Sequence, residues 1–562
     1  RHRGRRLAGR LRHRPRRRDR RAGRGGRGRL RGYPQPATVQ HRSRRARPGS
    51  RRPRRGIGVG RSGAFLVSAG RQLTRGTLYV AVGQGSFLVT GYLLHAILAR
   101  ELSPASYGIF NVAMTLLVWV EITVNNGVPS ALSKFLPDES LSERAVLRAA
   151  ARCQALISLG VLVVMFLAAP LLALLLRDPA LTGYLRLALL DVLAMGAYAY
   201  YRGVLNGWRF FRQMSLAITA YSLAKLAAIT LLVGLGFGVQ GALAGNVVAS
   251  LGGLAAGYFW TRRRQRAFGA PPGERGDAAP LGLAFGEGRI LAFVLPTVLF
   301  TLASNVLLGL DLMEVQALLP DDLVGYYSAA VKLAEAPRLV LLAFTFTLLP
   351  SLSHAIAAGD ATRARHYLEQ TIRLLALVLL PLIALVMATA EGAMTFVFPA
   401  EYRAAAPILT VLILAYTAYA VYITLVTTLL AENRPGRALL IPLALLPLEA
   451  AVIWLGITRL GVIGAALASL ASVATAAGVV LAYVLRRYRP AAGARSLVRI
   501  GVASAVLWAI ARWWSPSGLA LLLAYGLLAG LYLALLLLLG ELRARDLRQL
   551  GSWLFTRKEG GT

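Results

Sequence analysis

Lys225 stands in the middle of a long apolar run, and Glu121 stands deep inside another. An ionisable side chain near the centre of a bilayer costs about 2.5–3.5 kcal/mol on insertion scales, so each one calls for a partner or a task. Asp191 and Arg202 share a third run. Their spacing is three helical turns, which puts both on one face about 16 Å apart. Lys332, Glu335 and Arg338 follow one another at three-residue steps, on one side of a helix, and Asp311 and Glu314 repeat that step in the run before. The cations Lys225, Arg202, Lys332 and Arg338 suit an anionic group such as a phosphate that must be both bound and released. The acids Asp311, Glu121, Asp191 and Glu335 suit counter-ions or proton coupling. The competing reading is purely structural, with Lys332 neutralising Glu335 and Lys225 neutralising Asp191 across neighbouring helices. Tyrosines recur in the same way: Tyr198, Tyr200 and Tyr201 cluster, and Tyr416, Tyr419 and Tyr422 keep a three-residue step. They suit sugar stacking, but helix packing or an interfacial belt is the stronger reading. His95 and His354 are isolated, so no metal site, cofactor or catalytic centre is expected.

These side chains sit in an unusually apolar chain of 562 residues, 56% hydrophobic and 16% charged. Soluble domains average about 25% charged residues. The apolar excess comes as runs of roughly 20 residues, the length that crosses a ~30 Å hydrocarbon core. Read between charged and Pro/Gly-rich breaks, the spans are 77–99, 107–130, 149–176, 182–205, 213–236, 239–261, 289–318, 322–352, 368–391, 404–431, 437–458, 461–485, 497–513 and 518–540. The expected fold is therefore an all-α polytopic membrane protein with about fourteen transmembrane helices. It divides into a six-helix bundle over 77–261, a linker over 262–288, a second six-helix bundle over 289–485, two peripheral helices over 497–540 and a basic tail over 541–562. Paired bundles with internal pseudo-symmetry are a common transporter plan. Pro129, Pro170, Pro296, Pro337, Pro381 and Pro407 can bend their helices.

Orientation follows from the basic residues. Lys134, Arg144, Arg148, Arg262, Arg263, Arg264, Arg266, Arg363, Arg365, Arg434, Arg486, Arg487 and Arg543 fall on one side of this span order. Arg100, Arg177, Arg403, Arg459 and Arg512 fall on the other. The positive-inside rule then puts both termini in the cytoplasm of a multi-pass protein of the cytoplasmic membrane. The opposite connections are short, which disfavours a membrane polymerase or ligase needing an external domain. A single cysteine, Cys153, excludes an intramolecular disulfide.

The net charge of +39 is concentrated at the N-terminus, where residues 1–61 hold 25 Arg and one acid, Asp19. Such a segment is expected to be a disordered tail. Three readings stand: translated upstream GC-rich DNA that is not native to the protein, contact with anionic headgroups, or contact with nucleic-acid phosphates. The last is the weakest, and no specific nucleic acid is expected as a partner.

Four segments, LARELSPASYGIF (98–110), NGVPSALSKFLPDES (126–140), VGYYSAAVKLAEAP (324–337) and GVIGAALASLASVA (461–474), resemble the polysaccharide-transporter branch of the multidrug/oligosaccharidyl-lipid/polysaccharide exporter superfamily, which includes the O-antigen-type flippases. The resemblance implies two opposed bundles around a central cavity that opens alternately to either side. It also implies translocation of a lipid-linked oligosaccharide or related cell-envelope polysaccharide precursor, whose pyrophosphate would meet the four cations. Membrane lipids, the lipid-linked glycan, and glycosyltransferases or a polymerase of the same pathway are the expected partners. An ion-coupled drug or metabolite antiporter of the same superfamily is the alternative within transport. A membrane-embedded scaffold or enzyme of polysaccharide biosynthesis is the alternative outside it.

Overall fold

A computed structural model of the chain describes residues 60–138, 141–268, 287–338, 348, 351–432, 434–489, 494–514 and 518–542, with side chains from Tyr79 onward. The chain separates into two compact units, Arg1–Ala64 and Phe65–Thr562, and every candidate site residue belongs to the second. The Arg-rich segment up to residue 59, most of the linker and the basic tail beyond residue 542 lie outside the described residues.

The helices are α1 (Gly60–Glu101), α2 (Pro104–Phe135), α3 (Glu143–Leu175), α4 (Leu181–Leu189), α5 (Asp191–Gly207), α6 (Phe211–Leu232), α7 (Gly238–Phe268), α8 (Glu287–Leu318) and α9 (Asp321–Ala334). They continue with α10 (Ala361–Ala388), α11 (Ala390–Val397), α12 (Ala406–Ala431), α13 (Pro435–Tyr488), α14 (Ala494–Trp514) and α15 (Ala520–Leu538). Their starts follow local chemistry. Ser103 accepts from the Ser106 amide with Pro104 in the first turn of α2, Ser142 caps α3, and the Asp360 carboxylate caps α10.

Among the described residues, eleven helices are long and apolar enough to cross a membrane by length and composition. Two of these are double-length, Phe211–Arg266 with 56 residues and Gly436–Tyr488 with 53. Straight, either would run about 80 Å, far beyond a ~30 Å hydrocarbon core. Both instead bend at a glycine. Gly238 has φ 52°, ψ −135° and Gly461 has φ 62°, ψ −144°, a conformation open in practice to glycine alone. Beyond each bend the chain folds back on itself. Gly464 packs so tightly on the Gly456 carbonyl that neither position has room for a Cβ, and Gly245 meets the backbone of Ile229 in the same way. At the far end of α13 the Tyr488 hydroxyl donates to Glu432 at 2.7 Å, closing the hairpin. The segments GVQGALAG (238–245) and GVIGAALA (461–468) thus make the same bend by the same means, an internal repeat of sequence and of shape.

With each hairpin read as two spans, the described helices coincide with the expected spans one to seven and nine to fourteen. The expected fourth span is interrupted at Leu190, where α4 gives way to α5, and α1 begins at Gly60 rather than near residue 77. The eighth, 322–352, is seen as α9 and the helical residues 351–357, with its middle outside the described residues.

The N-terminal helices pack mainly among themselves, α5 on α2 and α7, and α6 on α7. The C-terminal set does likewise, α13 on α8 and α12. Helix α2 crosses between the sets, touching α8 and α9. Helices α14 and α15 sit to one side, docked on α10. There Arg373 donates to Glu541 at 2.6 Å, the Tyr532 hydroxyl to the Leu377 carbonyl at 2.9 Å, and Tyr525 meets Thr389 at 2.7 Å. The outer faces are rich in exposed leucine and valine, as a lipid-facing surface requires.

Candidate functional site

Where α2 crosses onto α9, Gly108 and Gly325 bring the two backbones together, and the backbone of Pro104 fills the space beside Gly325. Tyr107, buried at this crossing, meets Phe398 and Tyr402 edge-on, and Tyr326 meets Tyr402. The two helix sets are therefore sealed against each other at the end that holds the α1–α2 and α8–α9 connections. His95, hydrogen-bonded to the Tyr107 hydroxyl at 3.0 Å, lies just inside the seal and within electrostatic reach of Lys225 and Lys332.

Deeper along the same face, the N-terminal helices gather a charge cluster. Lys225 on α6 lies 5.9 Å from the ring centre of Tyr221 and has no ion-pair partner among the described residues. It is in electrostatic reach of Glu121 on α2, Asp191 on α5 and, across the seam, Lys332 on α9. Glu121 and Asp191 approach each other within hydrogen-bonding reach, and both are buried. The Asn246 amide on α7 donates to Asp191 at 2.8 Å, while the other Asp191 oxygen and one Glu121 oxygen have no hydrogen-bond partner. Tyr198 stacks on Tyr221 with ring centres 5.3 Å apart and forms the floor of the cluster.

The C-terminal helices supply a different arrangement. Lys332 pairs with Glu335 at 3.2 Å and Arg338 reaches the same carboxylate oxygen at 3.9 Å, so the α9 stripe is a cation–anion–cation triad. Tyr92, Tyr416 and Tyr419 lie within electrostatic reach of Arg338. Asp311 on α8 is buried and bound by two donors, the Tyr327 hydroxyl at 2.5 Å and the Leu312 amide at 2.8 Å.

The expected site residues thus separate into groups. Lys225, Glu121 and Asp191 come together, and Lys332, Glu335 and Arg338 lie opposite them. Arg202 makes two 3.3 Å bonds to the backbone and side-chain oxygens of Asn125, lies 5.7 Å from the Tyr198 ring centre and remains in electrostatic reach of Glu121. Asp311 belongs to a second acidic pocket with Glu314 and a residue that the sequence pattern does not single out, Glu449. Glu449 is fully buried on α13 and neither of its oxygens has a hydrogen-bond partner. A carboxylate inside an apolar span was the available signal.

The family described as polysaccharide biosynthesis protein matches residues 73–356, half of the chain. The chain belongs to that family. The matched residues include the helices that carry Lys225, Asp191 and Lys332. Among curated proteins, the succinoglycan biosynthesis transport protein ExoT of Rhizobium meliloti (strain 1021) is 27% identical over 324 residues, 57% of this chain and 61% of that protein. The chain therefore matches about three fifths of that relative's length. Among solved structures, the lipid II flippase MurJ in an inward closed conformation aligns with a TM-score of 0.62 at 14% identity, over 82% of this chain and 98% of MurJ. A multidrug resistance MATE family transporter of the MOP superfamily, inward-facing, aligns with a TM-score of 0.59 at 13% identity, over 73% of this chain and 98% of that one. At these identities the two structures share the fold with this family member.

Proposed function

We propose that the chain translocates a lipid-linked oligosaccharide, or a related cell-envelope polysaccharide precursor, across the cytoplasmic membrane by alternating access. In this reading the bundles 77–261 and 289–485 rock about the α2–α9 seam, 497–540 is peripheral, and both termini are cytoplasmic. The observation that carries it is Lys225 lying in electrostatic reach of Lys332 on the opposite helix set, where Arg338 shares the carboxylate of Lys332. Cations of both halves meeting at one seam suit an anionic group, and a pyrophosphate bound between them would bring the halves together. Glu335 then serves as the counter-ion that keeps Lys332 and Arg338 from repelling each other while the site is empty. The Glu121–Asp191 pair, able to take up and give back a proton beside Lys225, is the candidate for coupling, with Asp311 a second. Family membership and the transport role named for the succinoglycan relative support the class of cargo. Glycosyltransferases or a polymerase of the same pathway would be its partners.

The test is deletion of the gene followed by leaflet-resolved assay of lipid-linked glycans. Precursor should accumulate on the cytoplasmic leaflet, and the intact chain should clear it. Unchanged surface glycan with no precursor build-up in the deletion strain would overturn the reading.

A further inference from the structure

At the end of the molecule opposite the α2–α9 seal, the last turns of α5 and α7 and the first turns of α3 line an open-mouthed cavity of about 210 Å³. That is far more than the ~10–15 Å³ one water needs. It is lined by Tyr200, Tyr201, Tyr258, Thr261, Arg262 and Gln265 over a floor that includes Trp208. It lies apart from the charge cluster between the helix sets, and nothing in the proposed transport cycle uses it.

Its walls are fixed. Tyr200 and Tyr201 meet edge-on at 5.3 Å, Tyr201 meets Tyr258 at 5.7 Å, and the Tyr200 hydroxyl is anchored on the Leu147 carbonyl at 3.3 Å. Trp208 is held by Glu143, which accepts from its indole at 2.9 Å, and by the Arg264 guanidinium stacked 3.8 Å from its ring centre. Three aromatic faces thus stand in place without needing a ligand to order them. The polar groups are not all used. Arg262 lies 5.0 Å from the Tyr258 ring centre with its side chain exposed, and Gln265 is exposed beside it. The Thr261 hydroxyl is buried without a hydrogen-bond partner. A buried unpaired hydroxyl is destabilising, and a bound acceptor would recover that cost.

The surroundings are cationic. Arg144, Arg148, Arg209, Arg212, Arg263 and Arg266 flank the three helix ends, and the positive-inside rule puts this end at the cytoplasmic interface. Basic pockets between helix ends at that depth suit anionic lipid headgroups.

We infer that this cavity is a binding site for a phosphate-bearing lipid headgroup. Arg262 and Gln265 take the phosphate, Thr261 donates to it, and the glycerol or sugar part lies against Tyr200, Tyr201 and Tyr258. Two lipids share that chemistry, an anionic phospholipid and a polyprenyl-pyrophosphate-linked cargo. The site stands whether or not the chain is a flippase, because it is read by binding alone.

The test uses the full-length protein in detergent micelles and a fluorescent phosphatidylglycerol analogue. Arg262→Ala and Thr261→Val should each weaken binding, the first at least tenfold. Arg266→Ala, equally basic and exposed but outside the cavity, should change it less than twofold. Displacement by unlabelled phosphatidylglycerol alone assigns the site to a resident phospholipid. Displacement by polyprenyl pyrophosphate as well assigns it to the cargo's headgroup. Equal losses in Arg262→Ala and Arg266→Ala, or unchanged binding in Arg262→Ala, would overturn the site. Gln265→Ala, at an exposed position that folding does not need, guards against a misfolded Arg262 variant and should weaken binding at least threefold.

Discussion

The Tyr327 hydroxyl on α9 donates to the buried carboxylate of Asp311 on α8 at 2.5 Å. This bond ties two helices that meet at their ends through the short turn around Pro320, and it gives Asp311 one of its two donors. Removing one partner of a buried charged hydrogen bond costs about 1.5–3 kcal/mol. Tyr327→Phe should therefore lower the thermal unfolding midpoint of the purified protein. Tyr327→Phe combined with Asp311→Asn should recover part of that loss, because no carboxylate is then left short of a donor. A double variant no more stable than Tyr327→Phe alone would show that the bond matters little.

Glu449 makes the opposite case. It is buried beside Asp311 and Glu314 with both oxygens unpartnered. Carboxyl groups crowded in one low-dielectric pocket oppose each other's ionisation, and the amide of Glu449→Gln takes one ionisable group out of it at nearly the same volume. The expected result is a thermal midpoint equal to or above that of the parent chain. If transport is lost at the same time, the carboxylate is held there for function at the expense of stability. A clear fall in the midpoint would mean that Glu449 is a satisfied structural group.

Glu449 also marks where sequence reading stops. The spans were legible because membrane crossing demands about 20 apolar residues in a row, a property each segment carries alone. Lys225 was legible for the same reason, as an exception inside such a run. Pairing is different. Whether Lys332 is answered locally by Glu335 can be judged from their three-residue spacing, and it is so answered. That Arg202 is tethered to Asn125, or that Asp191 faces Asn246 rather than an ion-pair partner, depends on which helices become neighbours. No single run encodes that. Glu449 stands inside the expected span 437–458, but that it shares a pocket with Asp311 and Glu314 again depends on which helices become neighbours. The bends fall between these limits. The repeat GVQGALAG and GVIGAALA is visible in the sequence, but its meaning, a reversal at Gly238 and at Gly461, needs the backbone angles.

Those two glycines support a prediction of their own. An L side chain in their conformation is strained by about 1–3 kcal/mol. Gly461→Ala and Gly238→Ala should each lower the thermal midpoint, by similar amounts if the two hairpins are equivalent. At Gly464, where the crossing leaves no room for a Cβ, Gly464→Leu should do more than strain the bend. It should force the arms of α13 apart and increase protease cleavage near residue 461. Unaltered cleavage and stability would mean the hairpin tolerates a wider crossing.

Lys225 and Lys332 test the site itself, because the structure makes them unequal. Lys332 shares Glu335 with Arg338, so Lys332→Ala leaves the carboxylate with a partner at 3.9 Å and one cation still facing the seam. Lys225 has no ion-pair partner among the described residues, so its removal breaks no pair, yet it withdraws the charge that the N-terminal helices contribute. A hydrogen bond to a charged group is worth about 1.5–3 kcal/mol, or roughly ten- to hundredfold in binding. Lys225→Ala should lower transport of a pyrophosphate-linked cargo by that factor at near-parental expression and thermal midpoint. Lys225→Arg should restore part of it, Lys332→Ala should cost less, and Glu335→Gln should cost stability more than transport. The measurement is cargo flipping in proteoliposomes, read beside the midpoint of each variant. Equal transport by Lys225→Ala and the parent chain would remove this ammonium from the mechanism, and with it the reason for placing an anionic cargo at the seam.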